Sequence, residues 1–363
     1  MQVHRESSKG DAVQLNVVQD TSHFRASAKL PQAVGKTWGP WLWYLVCTSS
    51  PPHSFLLSKT NTQNNGSLAD AQHRASLERK TYPYAFFRDT VYHSRGALKG
   101  SLVLSDGRPA SGAAVFLGDT DTSIRPLIQG TNSYYTTYAD ATGSFSFEKV
   151  RSGKYGLYAS SNGGSIGDVY TNFTLSPVNV EKGETTSLEE LEWSVPQNHE
   201  RIFQIGAFDK KSTEFKNGGA VRQHGLTEQG PANLTFVVGE SQDADWYYAS
   251  SKLGSWDVVF NTTRPSSSSK ALLTVSLAGY SQSTQLGIYL NGNTTVGSVG
   301  KANTASDPAL YRSGTTSGEG HFLQYEVRAE ALREGKNVLS FVVEKYTLWR
   351  GVMWDSVVLE WVD

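Results

Sequence analysis

The chain has one cysteine, Cys47, in 363 residues, which excludes an internal disulfide and any cysteine-based metal cluster. Neither sign of charge dominates. Thirty-three Lys and Arg against thirty-four Asp and Glu leave a net charge of -1, so there is no broad basic field to neutralise a phosphate backbone, and nucleic acid is excluded as the expected partner. No apolar run is long enough to span a membrane as a helix, and no acidic or basic tail is present. The opening "MQVHRESSKGDAVQLNVVQD" lacks the charged, then apolar, then small-residue order of a secretion signal and reads as strand sequence. Two expectations stay open on that point: a cytosolic protein, or one whose true N-terminus lies upstream of Met1. The eight histidines show no His-x-x-x-His or Glu-flanked spacing, so no zinc site is expected. Gly-x-Ser-x-Gly, Walker and strand-following Gly-x-Gly-x-x-Gly elements are also missing.

What is present is β-forming sequence. Thirty-four glycines, seventeen tyrosines and frequent Thr, Ser and Val, with few helical periodicities, predict an all-β chain. At about 100–200 residues per domain, the length predicts two or three domains. Five Asn-x-Ser/Thr sequons, at Asn65, Asn172, Asn233, Asn261 and Asn293, are compatible with a glycosylated secreted protein.

Along the chain, residues 1–45 read as strand material, with Val13, Leu15 and Val17 alternating and "WLWYLV" following Gly39-Pro40. The spacing of Leu68, Ala71, Ala75 and Leu77 predicts a helix over 68–80, stopped at Pro83. From Arg95 to Trp193, some seven short strands separated by Asp106-Gly107, Gly143 and Gly153 predict an immunoglobulin-like or transthyretin-like sandwich. Pro196 begins a short linker. From His199 to Asp363, about eight alternating segments with Asn291-Gly292 as a hairpin turn predict a jelly roll. The expected domains are therefore 1–93, 94–196 and 197–363.

Two sets of residues are candidates for chemistry. His23, in "DTSHFRAS", follows a strand among polar residues and would suit a general acid or base, although composition alone favours an ordinary surface histidine. The second set is aromatic: Trp246, Tyr247, Tyr248, Trp256, Trp349 and Trp354. Flat rings stack on sugar faces, so Trp246, Tyr247 and Trp349 are candidate carbohydrate-binding residues, against the alternative that most of the set packs the core.

The order "RGALKGSLVLSDGRPASGAAVFLG", "LEWSVPQNHERIFQIGAFDKKSTEFKNG" and "GPANLTFVVGESQDADWYYAS" resembles rhamnogalacturonan lyases of polysaccharide lyase family 4 over nearly the whole chain. The most specific parts are Ile205-Gly206 with Phe208-Asp209, and Asp245-Trp246-Tyr247-Tyr248. "GKTWGPWLWYL" and "TYPYAFF" resemble the end of the family's first domain, with Tyr82 where a tryptophan is usual. The resemblance implies a secreted three-domain enzyme: a β-sandwich with the active site, a fibronectin-III-like sandwich and a jelly roll like carbohydrate-binding modules. It also implies β-elimination in the rhamnose–galacturonic acid backbone of pectin, with rhamnogalacturonan I as partner and the enzyme acting as a monomer. Charge and aromatics by themselves predict no oligomer. Calcium occurs in some family members, but Asp and Glu here carry no ligand pattern.

β-Elimination needs a base for the C5 proton, positive charge beside the carboxylate-derived enolate, and help for the departing C4 oxygen. In the family a lysine and a histidine share the proton transfers, and Ser22-His23-Phe24 ahead of Gly39-Pro40-Trp41 matches the histidine element. The resemblance thus assigns His23 as catalytic. The lysine lies well upstream in the family, and only Lys9 precedes His23 here, too close to match. The polypeptide 1–363 is therefore expected to lack lyase activity by itself. The alternative is a non-catalytic carbohydrate-binding protein.

Residues 46–63 interrupt the resemblance. Without them the chain reads "WLWYLNNGSLADAQHRA", continuous with the family, and the eighteen residues correspond to 54 nucleotides. Valine codons begin with GT and Gln63 can be CAG, which permits a translated retained intron; a surface-loop insertion is the alternative. On the intron reading Cys47 carries no redox meaning.

Overall fold

The computed structural model describes residues 2–6, 12–16, 65–120, 134–196, 199–220, 225–263, 270–281, 284–306, 310, 314–345 and 350–362. Strands β1 (Gln2–Glu6) and β2 (Ala12–Asn16) pair antiparallel, with Val3 opposite Leu15. Helix α1 runs Asn65–Thr81 and a one-turn helix, α2, runs Thr90–His93. The helix exists where the spacing places it, but its expected apolar side is not its covered side. Ala71, Arg74 and Glu78 are half-buried, whereas Ala75 and Leu77 are exposed. Two alanines and a leucine offer little area to bury. The covered side is instead tied by polar contacts: Arg74 pairs with Glu78, and Glu78 accepts a 2.7 Å bond from the Tyr84 hydroxyl. At the C-terminal end, Lys149 Nζ donates to the carbonyls of Arg79 (3.1 Å) and Tyr82 (2.6 Å). A cation there satisfies carbonyls that the helix leaves open.

Seven strands follow: β3 (Arg95–Leu104), β4 (Ala114–Gly118), β5 (Tyr135–Tyr138), β6 (Ser144–Arg151), β7 (Gly153–Ser160), β8 (Asn172–Val180) and β9 (Thr185–Trp193). They form two sheets, in the orders β6-β3-β9 and β5-β4-β7-β8. Leu98, Leu102, Leu104, Val115, Leu117, Phe145, Phe147, Leu157 and Trp193 fill the space between. The Asp106-Gly107 turn closes on the Asp106 carboxylate, which accepts the Arg108 backbone N–H at 3.0 Å, while Gly107 takes a φ of +88°. Gly143 is required for a tighter reason: at φ +81°, a Cβ there would lie 2.2 Å from the Leu102 carbonyl oxygen.

The Arg108 guanidinium forks onto both oxygens of Asp168, at 2.9 and 2.7 Å, and onto Asp106 at 2.9 Å. Burial alone would raise the Asp168 pKa, but the Arg108 guanidinium outweighs it and the carboxyl is lowered. Arg108→Ala is expected to cost about 1 kcal/mol, since the pair is bidentate yet partly solvated. Urea unfolding at low and high salt checks this: the loss should shrink with salt, and a salt-independent loss would mean packing rather than charge.

The last unit holds ten strands: β10 (Glu200–Gly206), β11 (Leu234–Val237), β12 (Ala249–Ser250), β13 (Gly254–Thr262), β14 (Lys270–Tyr280), β15 (Gln285–Leu290), β16 (Thr294–Val299), β17 (His321–Arg328), β18 (Gly335–Lys345) and β19 (Val352–Val362). One sheet runs β10-β19-β14-β17 with β12 on β19, and the other β11-β13-β18-β15-β16. β11 lies parallel to β13. At the β15–β16 hairpin, where Leu290 pairs with Thr294, Asn291 and Gly292 both take positive φ, 53° and 86°, a conformation that these two residue types tolerate. The alternation expected in "WDSVVLEWV" does not appear as an inside and an outside face. Every residue of β19 is buried, because the outer face of its sheet is covered as well.

That cover comes from the preceding sandwich. Phe208 N and Gln204 Nε2 both donate to the Gly167 carbonyl at 2.9 Å, Lys211 Nζ reaches Asn162 Oδ1 at 2.6 Å, and the Tyr170 ring packs on Phe208 and Phe322, both at 5.5 Å. The two sandwiches are therefore joined by a packed, hydrogen-bonded junction.

Candidate functional site

The residues expected to do chemistry fall into three groups. His23 and Trp349 lie outside the described residues, as do residues 46–63 with Cys47. Trp246 and Tyr247 do not form a sugar-stacking surface: they are 0% and 3% exposed, at the centre of the jelly-roll core, and the candidate platform is corrected to core for both. The Trp246 ring stands edge-on to Trp256, Trp354 and Phe236, with centroids at 5.0, 5.3 and 5.9 Å. Tyr247 buries its ring and places its hydroxyl between Asn217 Nδ2, which donates to it, and the Leu226 carbonyl, which accepts from it, both at 3.0 Å. Tyr248, Trp256 and Trp354 are buried too. The Asp245 carboxylate before them accepts the Gln242 N–H at 2.9 Å and closes the turn that feeds this aromatic core.

The other distinctive element, Ile205-Gly206 with Phe208-Asp209, builds the junction. Gly206 ends β10 at φ +70°, where a Cβ would meet the Asp355 carbonyl oxygen at 2.3 Å. The turn it permits aims the backbone N–H groups of Asp209 and Lys211 at Asp355 Oδ1, at 3.1 and 3.2 Å, while Ser276 Oγ donates to Oδ2. Asp355 is buried, which pushes its carboxyl up to about 7 against the opposing pull of these donors. Burial pushes nearby Glu214 up to about 7 as well, and holds Lys210 below its ordinary value. Glu214 Oε1 accepts the Ala207 N–H at 2.9 Å. Beside them the buried Glu360 carboxylate receives His199 Nδ1 at 3.0 Å and Arg201 Nη2 at 3.6 Å. These groups brace the 199–214 segment from within the jelly roll, and that segment in turn meets the first sandwich at Gly167 and Asn162.

An open concave site lies elsewhere, where residues 82–95 meet the first sandwich. A cleft of about 410 Å³ is lined by Tyr82, Asp89, Tyr92, Arg95, Tyr134, Tyr135 and Arg151. β3 delivers Arg95, β6 delivers Arg151 and the start of β5 delivers Tyr135. The Arg95 guanidinium lies over two rings set at 81° to each other, 4.8 Å from the Tyr82 centroid and 4.7 Å from the Tyr92 centroid, and its Nη1 donates to the Lys149 carbonyl at 2.8 Å. Arg95 Nε is buried without a hydrogen-bond partner among the described residues. The Tyr135 hydroxyl accepts the Arg151 N–H at 2.9 Å. Burial raises the Tyr82 and Tyr134 hydroxyls above their ordinary pKa, so both are donors at neutral pH. Rings continue outward from the cleft: Tyr92 on Phe87 at 4.8 Å, Phe87 on Phe86 at 4.8 Å, and Phe86 stacked on Tyr84 at 5.4 Å, with Phe86 63% exposed. The "TYPYAFF" sequence could have marked this cluster, but Arg95 and Tyr134 are brought to it by sheet pairing that the sequence does not display. Among the described residues no group of three or more His, Cys, Asp or Glu could hold a metal ion.

Comparison with known proteins agrees with this architecture. Family models match residues 105–188 as polysaccharide lyase family 4, domain II, described as fibronectin-III-like, and residues 201–359 as domain III of the same family, described as like a carbohydrate-binding module. A rhamnogalacturonate lyase of Dickeya dadantii is 30% identical over 359 residues, covering 96% of this chain and 56% of that enzyme. Rhamnogalacturonate lyase B of Emericella nidulans is 22% identical over 219 residues, 58% of this chain and 30% of that enzyme. The chain thus spans about half, or less, of the length of these curated relatives. Among solved structures, the pilin SpaD of Corynebacterium diphtheriae matches 70% of the chain and 57% of its own at 11% identity, with a TM-score of 0.24, a level that decides nothing. With two of its characteristic domains in succession and a relative aligned along nearly all its length, the chain belongs to polysaccharide lyase family 4.

Proposed function

We propose that this chain is part of a secreted rhamnogalacturonan lyase that cleaves the rhamnose–galacturonic acid backbone of pectin by β-elimination. The observation that carries the reading is the alignment with the Dickeya rhamnogalacturonate lyase at 30% identity over 96% of the chain. On this reading residues 1–93 are the end of the catalytic sandwich, 94–196 the fibronectin-III-like domain and 197–363 the jelly roll. His23 shares the proton transfers at galacturonate C5 and at the departing oxygen with a lysine supplied by sequence preceding it. The substrate is rhamnogalacturonan I, and the enzyme acts as a monomer outside the cell. Asn172, Asn233, Asn261 and Asn293 are all exposed, as acceptors for glycosylation on that route would have to be.

Burial of Trp246 and Tyr247 weighs against the purely sugar-binding alternative, because it removes two of the three rings on which that alternative stood. The test is the appearance of unsaturated product, absorbing near 235 nm, from rhamnogalacturonan. Polypeptide 1–363 by itself is expected to give none. An N-terminally extended form carrying the lysine is expected to give product, and His23→Ala in that form to lower turnover by about 10²–10⁴-fold. Turnover unaffected by that substitution would remove His23 from the mechanism. Residues 46–63 are proposed to be a translated intron, which the spliced transcript decides directly: codons 46–63 should be absent from it.

A further inference from the structure

We propose that the cleft between residues 82–95 and the first sandwich binds a uronate residue of an acidic polysaccharide, its carboxylate taken by Arg151 and Arg95 and its ring faces by the surrounding tyrosines. The inference rests on the pectic reading for the identity of the polymer and on the cleft for everything else. Its volume, about 410 Å³, falls in the range of small-molecule sites. Its lining is four tyrosines, two arginines and one aspartate, a composition that pairs flat apolar faces with hydroxyl donors and an excess of positive charge. Aromatic faces bury the C–H surfaces of a sugar ring, and hydroxyls at their edges match its oxygens.

The charge is what selects an acidic sugar. Arg95 is half-buried and makes no ion pair with any described carboxylate; its guanidinium lies over the Tyr82 and Tyr92 rings, which stand at 81° to each other. These cation–π contacts stabilise the cation and hold the guanidinium in place without supplying a counter-charge. Arg151 is exposed and likewise has no ion-pair partner among the described residues. Asp89, the one carboxylate in the lining, is engaged at the start of α2, where Oδ1 accepts the Val91 N–H at 2.8 Å. A partly desolvated cation without a counter-charge is costly, and an incoming carboxylate would remove that cost. The Tyr82 and Tyr134 hydroxyls bond to no described protein group, which leaves two further donors for sugar oxygens. The exposed Phe86 ring, stacked on the half-buried Tyr84, continues from the cleft as a surface on which a neighbouring sugar of the same chain could lie.

The experiment is calorimetric titration of the full polypeptide 1–363 with trigalacturonate and, separately, with the neutral galactotriose. Trigalacturonate is expected to bind, about tenfold or more tighter than galactotriose, with affinity falling as salt rises. Arg151→Gln, at an exposed position, and Tyr134→Phe, which keeps the ring on Phe116 and removes only the hydroxyl, are each expected to weaken trigalacturonate, the former about tenfold, while leaving the thermal unfolding midpoint unchanged. Equal affinity for the two sugars, unchanged affinity in both variants, or no binding of trigalacturonate to the wild type would each overturn the proposal. Failure here is separable from failure of the lyase reading. Unsaturated product from the extended enzyme with an indifferent cleft leaves the lyase standing alone, and cleft binding without product leaves a uronate-binding module.

Discussion

Trp246→Ala is expected to destabilise the jelly roll by about 3–5 kcal/mol, the range for emptying a fully buried aromatic position. The indole is 0% exposed, and Trp256, Trp354, Phe236 and Phe341 all meet it within 6.3 Å at interplanar angles of 78–88°. No neighbouring backbone can relax into the vacated volume without breaking the β13 and β18 pairing that carries Trp256 and Phe341. Its Nε1, like that of Trp354, has no hydrogen-bond partner among the described residues. Edge-on packing points ring edges at neighbouring π faces, which offsets part of that cost. Trp246→Phe should therefore cost much less, about 1–2 kcal/mol, since only volume is lost. Urea unfolding of 1–363 followed by tryptophan fluorescence measures both. An alanine variant within 1 kcal/mol of wild type, combined with lost saccharide binding, would restore the sugar-platform role.

Asp355→Ala is expected to cost about 2–4 kcal/mol, whereas Asp355→Asn should be close to neutral at pH 7. Alanine strands the N–H groups of Asp209 and Lys211 and the Ser276 hydroxyl in a buried junction. Asparagine keeps an oxygen for the two N–H groups and turns an NH₂ toward a hydroxyl that can accept as well as donate. The pH dependence follows from the same burial. Asp355 and Glu214 are both raised to about 7, so between roughly pH 4 and 7 the folded state holds protons that the unfolded state has released. Stability from these groups is thus fully present at the acidic end, falls as pH rises by up to about 1.4 kcal/mol per unit per carboxyl, and levels off above pH 7. Asp209, Asp243, Lys210 and Lys211 face the same junction, and the Asp209 charge adds to the upward push on both carboxyls. Asp355→Asn should flatten the decline, leaving the share due to Glu214. A wild-type stability that rises with pH across this window would overturn the assignment.

Both substitutions touch sequence elements that carry the family resemblance, and both act on folding. Trp246, Tyr247 and Tyr248 lie in the core of the jelly roll, and Asp355 fixes the turn after Gly206, whose residues then bond to the first sandwich at Gly167 and Asn162. The most distinctive stretches of this chain are thus structural. Residues with groups left over for a ligand, such as Arg151 and Tyr134, lie in sequence with no recognisable motif.

Local physics was legible in the sequence by itself. The helix near Leu68, the strands between Arg95 and Trp193, and the positive-φ turn at Asn291-Gly292 follow from periodicity and turn chemistry, which depend on near neighbours. Family membership was legible too, through short motifs in order. Tertiary structure alone decided which aromatic rings are interior and which meet solvent. A tryptophan supplies the same apolar surface to a core or to a sugar, and only the elements stacked over it determine which. It alone decided that β19 is covered on both faces and that α1 is held by Lys149, since those covers come from other parts of the chain. And it alone assembled the cleft: pairing of β3 with β6 sets Arg95 opposite Arg151, and the segments holding Tyr82 and Tyr134 close on them from elsewhere in the chain, long-range contacts that no local pattern encodes.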